Sequence, residues 1–453
     1  MSAASRGPPV SDGAGPYTEY NQAGQRDMYV FYDRFFQNAD RNRRTGGSAS
    51  MTRQIVSDAP DLFAPGLFDG TGFYDAFAWY RAHDPVSWQQ PEGSADGFWS
   101  VTKYRDVVAV HRDSTRMSST KGIRLGTGAS AAAAVADKML IVSDPPHHTR
   151  MKRVLAQPFS HEVLTRAETY VEAVVADVVA AAMREPEPDL LTYIRRIPTD
   201  VICAIMGLPR EDWEWIGKKT TEAFESPSDV QRATANSEIF QYFYNMVGES
   251  TRTGANAFIR SLLGHAATTN TDPESARLTD EEVIFNLSGI LSGGNETTRF
   301  TLASLTLQLA HHPDQWRRIT TGEVDPTTAT EEALRWSAPG MHVMRTATEP
   351  LRIGDTDIAP GHRVVTWTGS ANRDEDVFAA PDTFDVGRTA NRHLTFGAGR
   401  HMCLGSRLAR LQITAYLRTL RRLVRTITAT GEPRYNGSNF AWGLNELPVE
   451  LRD

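Results

Sequence analysis

Cysteine is scarce in this chain. Two occur in 453 residues, at positions 203 and 403, too few for a disulfide framework and in keeping with a reducing cytoplasm. No Cys-x-x-Cys pair is present, which disfavours a zinc ribbon or an iron–sulfur cluster. No run of 18 apolar residues appears and the N-terminus has no signal-peptide core, so neither a membrane anchor nor secretion is expected. Basic residues are outnumbered, 48 Lys and Arg against 55 Asp and Glu, for a net charge of −7. Nucleic acid is therefore not an expected partner. One further lack is local: from Val386 to Gly431 there is no Asp or Glu, yet arginine stands at 388, 392, 400, 407, 410, 418, 421, 422 and 425. This reversal of sign in an acidic chain reads either as a solvated helix face or as a docking surface for an acidic protein.

What is present is an ordinary apolar content of 40%, enough for a full core. Residues 1–50 differ from the rest: Ser, Gly, Arg and Asn dominate both ends of the stretch, and Tyr29, Phe31, Tyr32, Phe35 and Phe36 between them suit one short amphipathic helix. The segment reads as a partly disordered extension or as the product of a mis-assigned start codon. Residues 51–453 read as one domain of mainly helical periodicity, with strand-like pieces at Phe98–Val101 and Val364–Trp367. The alanine run from Ala129 to Ala136, after Gly122, Gly126 and Gly128, reads as a loop leading into a short helix. Cys203 sits in the apolar stretch Val201–Met206 and reads as a small core residue.

Cys403 stands in a different setting, Phe396-Gly397-Ala398-Gly399-Arg400-His401-Met402-Cys403-Leu404-Gly405. Glycines at 397, 399 and 405 let the backbone turn tightly and approach a flat group closely. Backbone N–H groups then point at the sulfur and stabilise a thiolate, as does the positive end of the helix that follows. Phe396 can screen the sulfur from water, and Leu404, Leu408, Leu411 and Ala415 continue as one helix face. Such a cysteine suits a permanent iron ligand.

A second unusual stretch is Ser292-Gly293-Gly294-Asn295-Glu296-Thr297-Thr298, inside a long apolar helix read from Asp280 to His312. Two adjacent glycines in a helix cost about 2 kcal/mol relative to alanine. Close approach of another group to the backbone would explain them, as would a local widening of the helix that frees a carbonyl. Three further patterns follow the same order along the chain. Ser143-Asp144-Pro145-Pro146-His147-His148-Thr149-Arg150 reads as a helix start, with Ser or Asp as cap. Glu332-Ala333-Leu334-Arg335 puts a carboxylate and a guanidinium on one helix face. Pro339, Arg345, Ala371-Asn372-Arg373-Asp374, Phe378, Pro381, Phe384 and Arg388 come after it.

Taken together, the pattern Phe-Gly-x-Gly-x-His-x-Cys-x-Gly and these motifs resemble the cytochrome P450 family, of the soluble bacterial type, over about residues 60 to 450. The resemblance implies a mainly α fold with small β-sheets: a triangular helical prism with haem between the long I helix and the loop and L helix of the cysteine. It implies haem b (iron protoporphyrin IX), noncovalently held since no Cys-x-x-Cys-His occurs, with Cys403 as the metal ligand. Phe396, Gly397, His401, Gly405, Gly293 and Gly294 would also border the cofactor, and His148, Lys152, Arg345 and His401 would hold its propionates. The family usually has arginine where Lys152 stands, and lysine keeps the charge without the forked geometry. Thr297 and Glu296 would be the catalytic alcohol and acid that deliver protons for oxygen activation. Glu332, Arg335 and a residue of the following meander would form a buried ion network that steadies the cysteine loop.

The function so implied is a monooxygenase that inserts an oxygen atom from O2 into a C–H bond of a hydrophobic small molecule, by hydroxylation or epoxidation, in natural-product tailoring. A ferredoxin-type redox partner with its reductase would supply electrons. Oxidative coupling or cyclisation of a natural-product or peptide-like substrate is the alternative, and a non-catalytic haem sensor a remote one. The pocket wall is expected from Lys121–Met139, the helices near Phe224 to Met246, Phe285-Asn286-Ser288-Gly289, Met341–Met344 and Trp442–Leu444. The aromatic run Phe240, Tyr242, Phe243 and Tyr244 reads as helix core or as a stacking surface. No cluster of positive side chains that would fix a substrate carboxylate is legible.

Overall fold

The computed structural model describes residues 59–91, 97–126, 129–185, 188–226, 228–264 and 277–453. The expected N-terminal extension and its aromatic helix lie outside the described residues. Helices α1 (Phe73–His83), α2 (Tyr104–Arg112), α3 (Ala129–Val135), α4 (His147–Leu155), α5 (His161–Ala182), α6 (Arg196–Ile205), α7 (Trp213–Glu225), α8 (Asp229–Thr253), α9 (Asp280–His311), α10 (Pro326–Ser337) and α11 (Ser406–Leu423) carry the fold. Alternation of period 3.6 decides which face of each turns inward. In α1, Phe73, Phe77 and Tyr80 are buried at i, i+4 and i+7.

α9 is the axis. Thr279 and Glu282 start it with a reciprocal cap: the Thr279 hydroxyl accepts from the Glu282 N–H at 3.2 Å, and the Glu282 carboxylate accepts from the Thr279 N–H at 2.9 Å. Pro313 follows its end, where a helix cannot continue. α9 packs against α6, α7, α8, α10 and α11, and its long buried side chains run through the largest hydrophobic cluster. A helix covered on this many sides cannot show a narrow apolar stripe, which explains its all-round hydrophobicity.

Five strands form the main sheet: β1 (Val86–Gln89), β2 (Phe98–Val101), β3 (Met117–Ser118), β4 (His342–Ala347) and β5 (Arg363–Trp367), in the order β1-β2-β5-β4-β3. The two strand-like pieces legible in the sequence pair with each other in parallel, Trp99 beside Val364 and Val101 beside Thr366. β4 runs antiparallel to β5, Arg345 opposite Val364. One face of this sheet covers Val107, Val110 and Leu394; the other meets an aromatic cluster of Phe68, Phe73, Phe77, Trp367 and Trp442. The sheet thereby carries Arg345 to the level of the cysteine loop, while α11 presses against α5 and α10 and carries that loop at its start.

Candidate active site

The cysteine loop is tied by its own backbone. The Gly397 N–H donates to the Leu394 carbonyl at 2.7 Å, the Cys403 N–H to Phe396 at 2.8 Å and the Met402 N–H to Gly399 at 3.2 Å. Gly397 and Gly399 take φ of 70° and 71°, a region closed to most side chains. At Gly399 a Cβ would also stand 2.6 Å from the His111 carbonyl of α2, so that helix backs the loop directly. Gly405 is different: its φ is −84° and it caps α11, and a Cβ there would touch nothing within 4 Å. Its N–H points at the Cys403 sulfur. Cys403 is free and exposed, whereas Cys203 is buried in the core as expected. Protein nevertheless surrounds the Cys403 thiol, and burial pushes its pKa up against the Gly405 N–H, Lys152 and Arg410, which pull it down. Exposure and burial agree when the open side of the sulfur faces a cleft.

Four basic side chains converge beside this cleft. His148 of α4 and His401 of the loop stand with ring centroids 4.1 Å apart. His401 Nε2 meets the Ser119 hydroxyl at 3.2 Å. Arg345 of β4 is buried and donates to the Met344 carbonyl at 2.9 Å. Lys152 donates to the carbonyls of Arg400 and, at 2.9 Å, of Met402. Burial, with neighbouring positive charge, lowers His148 to about 4 and His401 to about 2; burial alone lowers Arg345 to about 10, with Asp144 opposing. Among the described residues no carboxylate is hydrogen-bonded to any of the four, and His148 Nε2 is buried without a partner. An unpartnered ring nitrogen, able to donate when it carries the proton, next to a buried guanidinium is a site suited to an acid. The carboxylate arms of haem fit it. Lys152 is the member whose ammonium is turned towards the loop backbone.

The helix start read at Ser143 and Asp144 forms later than expected. α4 begins at His147 with Pro146 at its cap position and no side-chain cap. The reason is local: the Ser143 hydroxyl donates to the Met139 carbonyl at 2.7 Å, and the Asp144 carboxylate accepts from the Ser119 N–H at 2.9 Å.

On α9 the helix runs unbroken through both glycines, so the expected widening is not an interruption of the helix. A Cβ at Gly293 would meet nothing within 4 Å, while Gly294 lies against Ile202 of α6. The Gly293 carbonyl accepts the Thr297 hydroxyl at 2.6 Å, which places that hydroxyl at the same open surface. Glu296 points elsewhere. Its carboxylate pairs with Arg299, Nε to Oε2 at 2.9 Å, and both side chains are fully buried. Asn295 fastens the helix to its neighbours, donating to Thr220 at 2.6 Å and accepting from Thr199 at 2.8 Å.

The Glu332–Arg335 network forms as expected. Both side chains are 0% exposed. Arg335 also donates to the carbonyls of Asn372, Pro381 and Thr383, and Arg388 and Asn391 of the meander reach Glu332. Among the described residues no group of three metal-binding side chains occurs.

A family model described as Cytochrome P450 matches residues 327–437. "Cytochrome P450 NovI" of Streptomyces niveus is 34% identical over 411 residues, covering 88% of this chain and 99% of that protein. The chain belongs to the cytochrome P450 family. Linalool 8-monooxygenase of Pseudomonas putida is 33% identical over 411 residues, 87% of this chain and 99% of that one. The crystal structure of P450 OxyD, involved in the biosynthesis of vancomycin-type antibiotics, superposes with a TM-score of 0.78 at 32% identity, over 86% of this chain and 99% of that one. The P450 fold, the oxidoreductase class and haem as cofactor follow from this membership. No helix among the described residues is long and apolar enough to cross a membrane.

In this P450 six of the nine arginines separate by partner or by exposure. Arg388 belongs to the Glu332 network. Arg410 grips Glu331 with two hydrogen bonds, at 2.6 and 2.9 Å, and lies over the Phe396 ring, 4.6 Å from its centroid. Arg418 faces Glu168 and Glu172. Arg392, Arg400 and Arg407 are exposed around the cysteine loop, beside the exposed Met402. The expected pocket wall is partly assembled: Phe285 meets Phe240 with centroids 5.2 Å apart, Asn286 binds the backbone of Lys138 and Leu140, and Met139 packs on Gly289. The aromatic run of α8 is core at Phe240, Tyr242 and Phe243, and exposed at Tyr244. Arg299 was missed in the sequence, although its i+3 spacing from Glu296 is a readable signal.

Proposed function

We propose that this P450 inserts one oxygen atom of O2 into a C–H bond of a hydrophobic natural product, with haem b bound to Cys403. When bound, haem supplies the oxygen activation and the storage of electrons. The protein's residues do the rest. Gly405 N–H and Arg410 stabilise the Cys403 sulfur as an anion. His148, His401 and Arg345, with Lys152, hold the propionates. Thr297 is the hydroxyl that holds a proton or a water at the open face of α9, whereas Glu296, expected to be the acid of the pair, is buried against Arg299 and turned away from that face, so it braces the helix instead. The observation that carries this reading is the Thr297 hydroxyl on the Gly293 carbonyl, at an unobstructed helix surface. Relatives that include a linalool monooxygenase and a protein of antibiotic biosynthesis support the substrate class. Electrons come from a ferredoxin-type protein and its reductase, docking near Arg392, Arg400 and Arg407, and two free cysteines suit the cytoplasm.

The test is turnover under isotopically labelled O2, with a surrogate ferredoxin and reductase and compounds that shift the ferric spectrum on binding. One labelled oxygen atom in the product is expected. A product that has lost hydrogen and gained no label would replace this reading with oxidative coupling, and absence of any turnover would favour a haem sensor.

A further inference from the structure

Arg124 lies in the segment between β3 and α3, and the backbone around it is pinned. The Ile123 carbonyl accepts from the Met344 N–H at 2.7 Å. The Leu125 N–H donates to His342 Nε2 at 3.1 Å, and His342 Nδ1 meets the Asn439 carbonyl at 2.7 Å. A backbone N–H can only donate, so Nε2 must accept and the proton sits on Nδ1. His342 is then a neutral strut between the loop, β4 and the Ser438–Trp442 turn. Burial lowers it to about 4, the Asn439 carbonyl opposes that, and Arg124 adds to it.

The guanidinium of Arg124 lies 5.7 Å from the centroid of Phe440 on that turn. Protein surrounds it, and burial followed by the charge of Arg232 on α8 lowers its proton affinity. The side chain is exposed all the same. Both hold when its open surface faces an internal cleft. No carboxylate pairs with it among the described residues. The neighbours of Arg124 are Phe440 and the backbone pinned by His342, whereas the haem-side cluster is held by other partners: Ser119 for His401, Met344 for Arg345, and Arg400 and Met402 for Lys152. Three segments expected to line the substrate pocket meet here, the loop after β3, the start of β4 and the turn before Leu444, and the charge of Arg232 on α8 reaches them.

A cation held in such a place without a counter-ion disfavours the empty site, and an arriving anion removes that disadvantage. We propose that Arg124 anchors a carboxylate of the substrate, at the end of the pocket away from Cys403, so that the preferred substrates are amphipathic organic acids. Its planar fork suits a carboxylate, and the Phe440 ring lies within cation–π reach of it, at 5.7 Å. This rests on the pocket and monooxygenase reading above, and it deepens that reading by naming a chemical class.

The test uses the haem-loaded full chain and ω-(imidazol-1-yl)alkanoic acids of increasing length, each beside its methyl ester. The imidazole nitrogen ligates iron, so binding is read from the Soret band whatever the natural scaffold. At one chain length the acid is expected to bind about tenfold more tightly than its ester, or better. Arg124→Gln should bring that ratio to about one, and Arg124→Lys should keep part of it. The carbon monoxide spectrum of each variant reports an intact haem site. Esters that match their acids at every length, or a ratio unchanged in Arg124→Gln, would overturn the assignment. A failure of imidazole itself to shift the Soret band would instead overturn the haem reading beneath it.

Discussion

Glu332→Gln is a near-isosteric change at the centre of the network behind the cysteine loop. Oε1 of Glu332 accepts from Arg335 Nη2 at 2.8 Å and the Asp385 N–H at 2.9 Å; Oε2 accepts from Arg335 Nε at 2.8 Å, Arg388 Nε at 3.1 Å and Asn391 Nδ2 at 3.0 Å. An amide has one acceptor oxygen. Whichever way it lies, its NH2 confronts two or three donors, and two guanidiniums lose their counter-charge. Hydrogen bonds to charged groups contribute about 1.5–3 kcal/mol each, so losing two costs about 3–6 kcal/mol. Breaking a buried ion pair by removing one partner gives a similar figure, about 3–5 kcal/mol. The whole margin of a folded protein is about 5–15 kcal/mol. The variant should therefore melt well below the wild type by circular dichroism and be recovered with less haem per chain. Arg418→Ala is the control: that side chain is 51% exposed and its acidic partners lie at 3.4 and 3.8 Å, a contribution under about 1 kcal/mol. If Glu332→Gln melts no earlier than Arg418→Ala, the reasoning from burial and donor count is wrong.

Other expectations concern turnover, electron delivery and acid stability. Thr297→Ala should divert reducing equivalents to hydrogen peroxide while haem and ligand binding persist; peroxide release and product yield per NADPH consumed are the readouts. Replacing Arg400 and Arg407 by Gln should slow reduction by a ferredoxin and weaken its dependence on salt, whereas Arg418→Gln, whose charge faces Glu168 and Glu172, should not. Burial holds His111 at about 3 and His342 at about 4 in the folded chain. The unfolded chain takes up those protons near pH 6.5, so below that pH it binds more protons than the folded one and stability falls with acidification. The two groups together contribute a slope of up to about 2.7 kcal/mol per pH unit. Melts between pH 7.5 and 5 should show His111→Gln less sensitive to acid than the wild type.

What could be read from the chain was what neighbouring residues decide among themselves. The cysteine loop is a local turn whose glycines at 397 and 399 have the positive φ such a turn requires. The Glu332–Arg335 pair sits at i and i+3 of one helix, and α9 runs within one residue of its expected end. What escaped depends on partners far along the chain. Ser143 and Asp144 look like caps until Met139 and Ser119 occupy them. Nine arginines in a row of 38 residues look like one surface, yet Arg388 and Arg410 are taken by glutamates on α10. The order β1-β2-β5-β4-β3 joins segments more than 200 residues apart, and no periodicity encodes that. Arg124 is an unremarked arginine in a glycine-bearing loop until His342 and Phe440 come round it.

Cys403 is the residue that would hold the haem iron, through its sulfur. Reduced protein exposed to carbon monoxide should give the strongly red-shifted Soret band of a thiolate-ligated haem, and Cys403→Ser should abolish it. An imidazole-type band from folded wild-type protein, or the red-shifted band surviving in Cys403→Ser, would contradict the assignment.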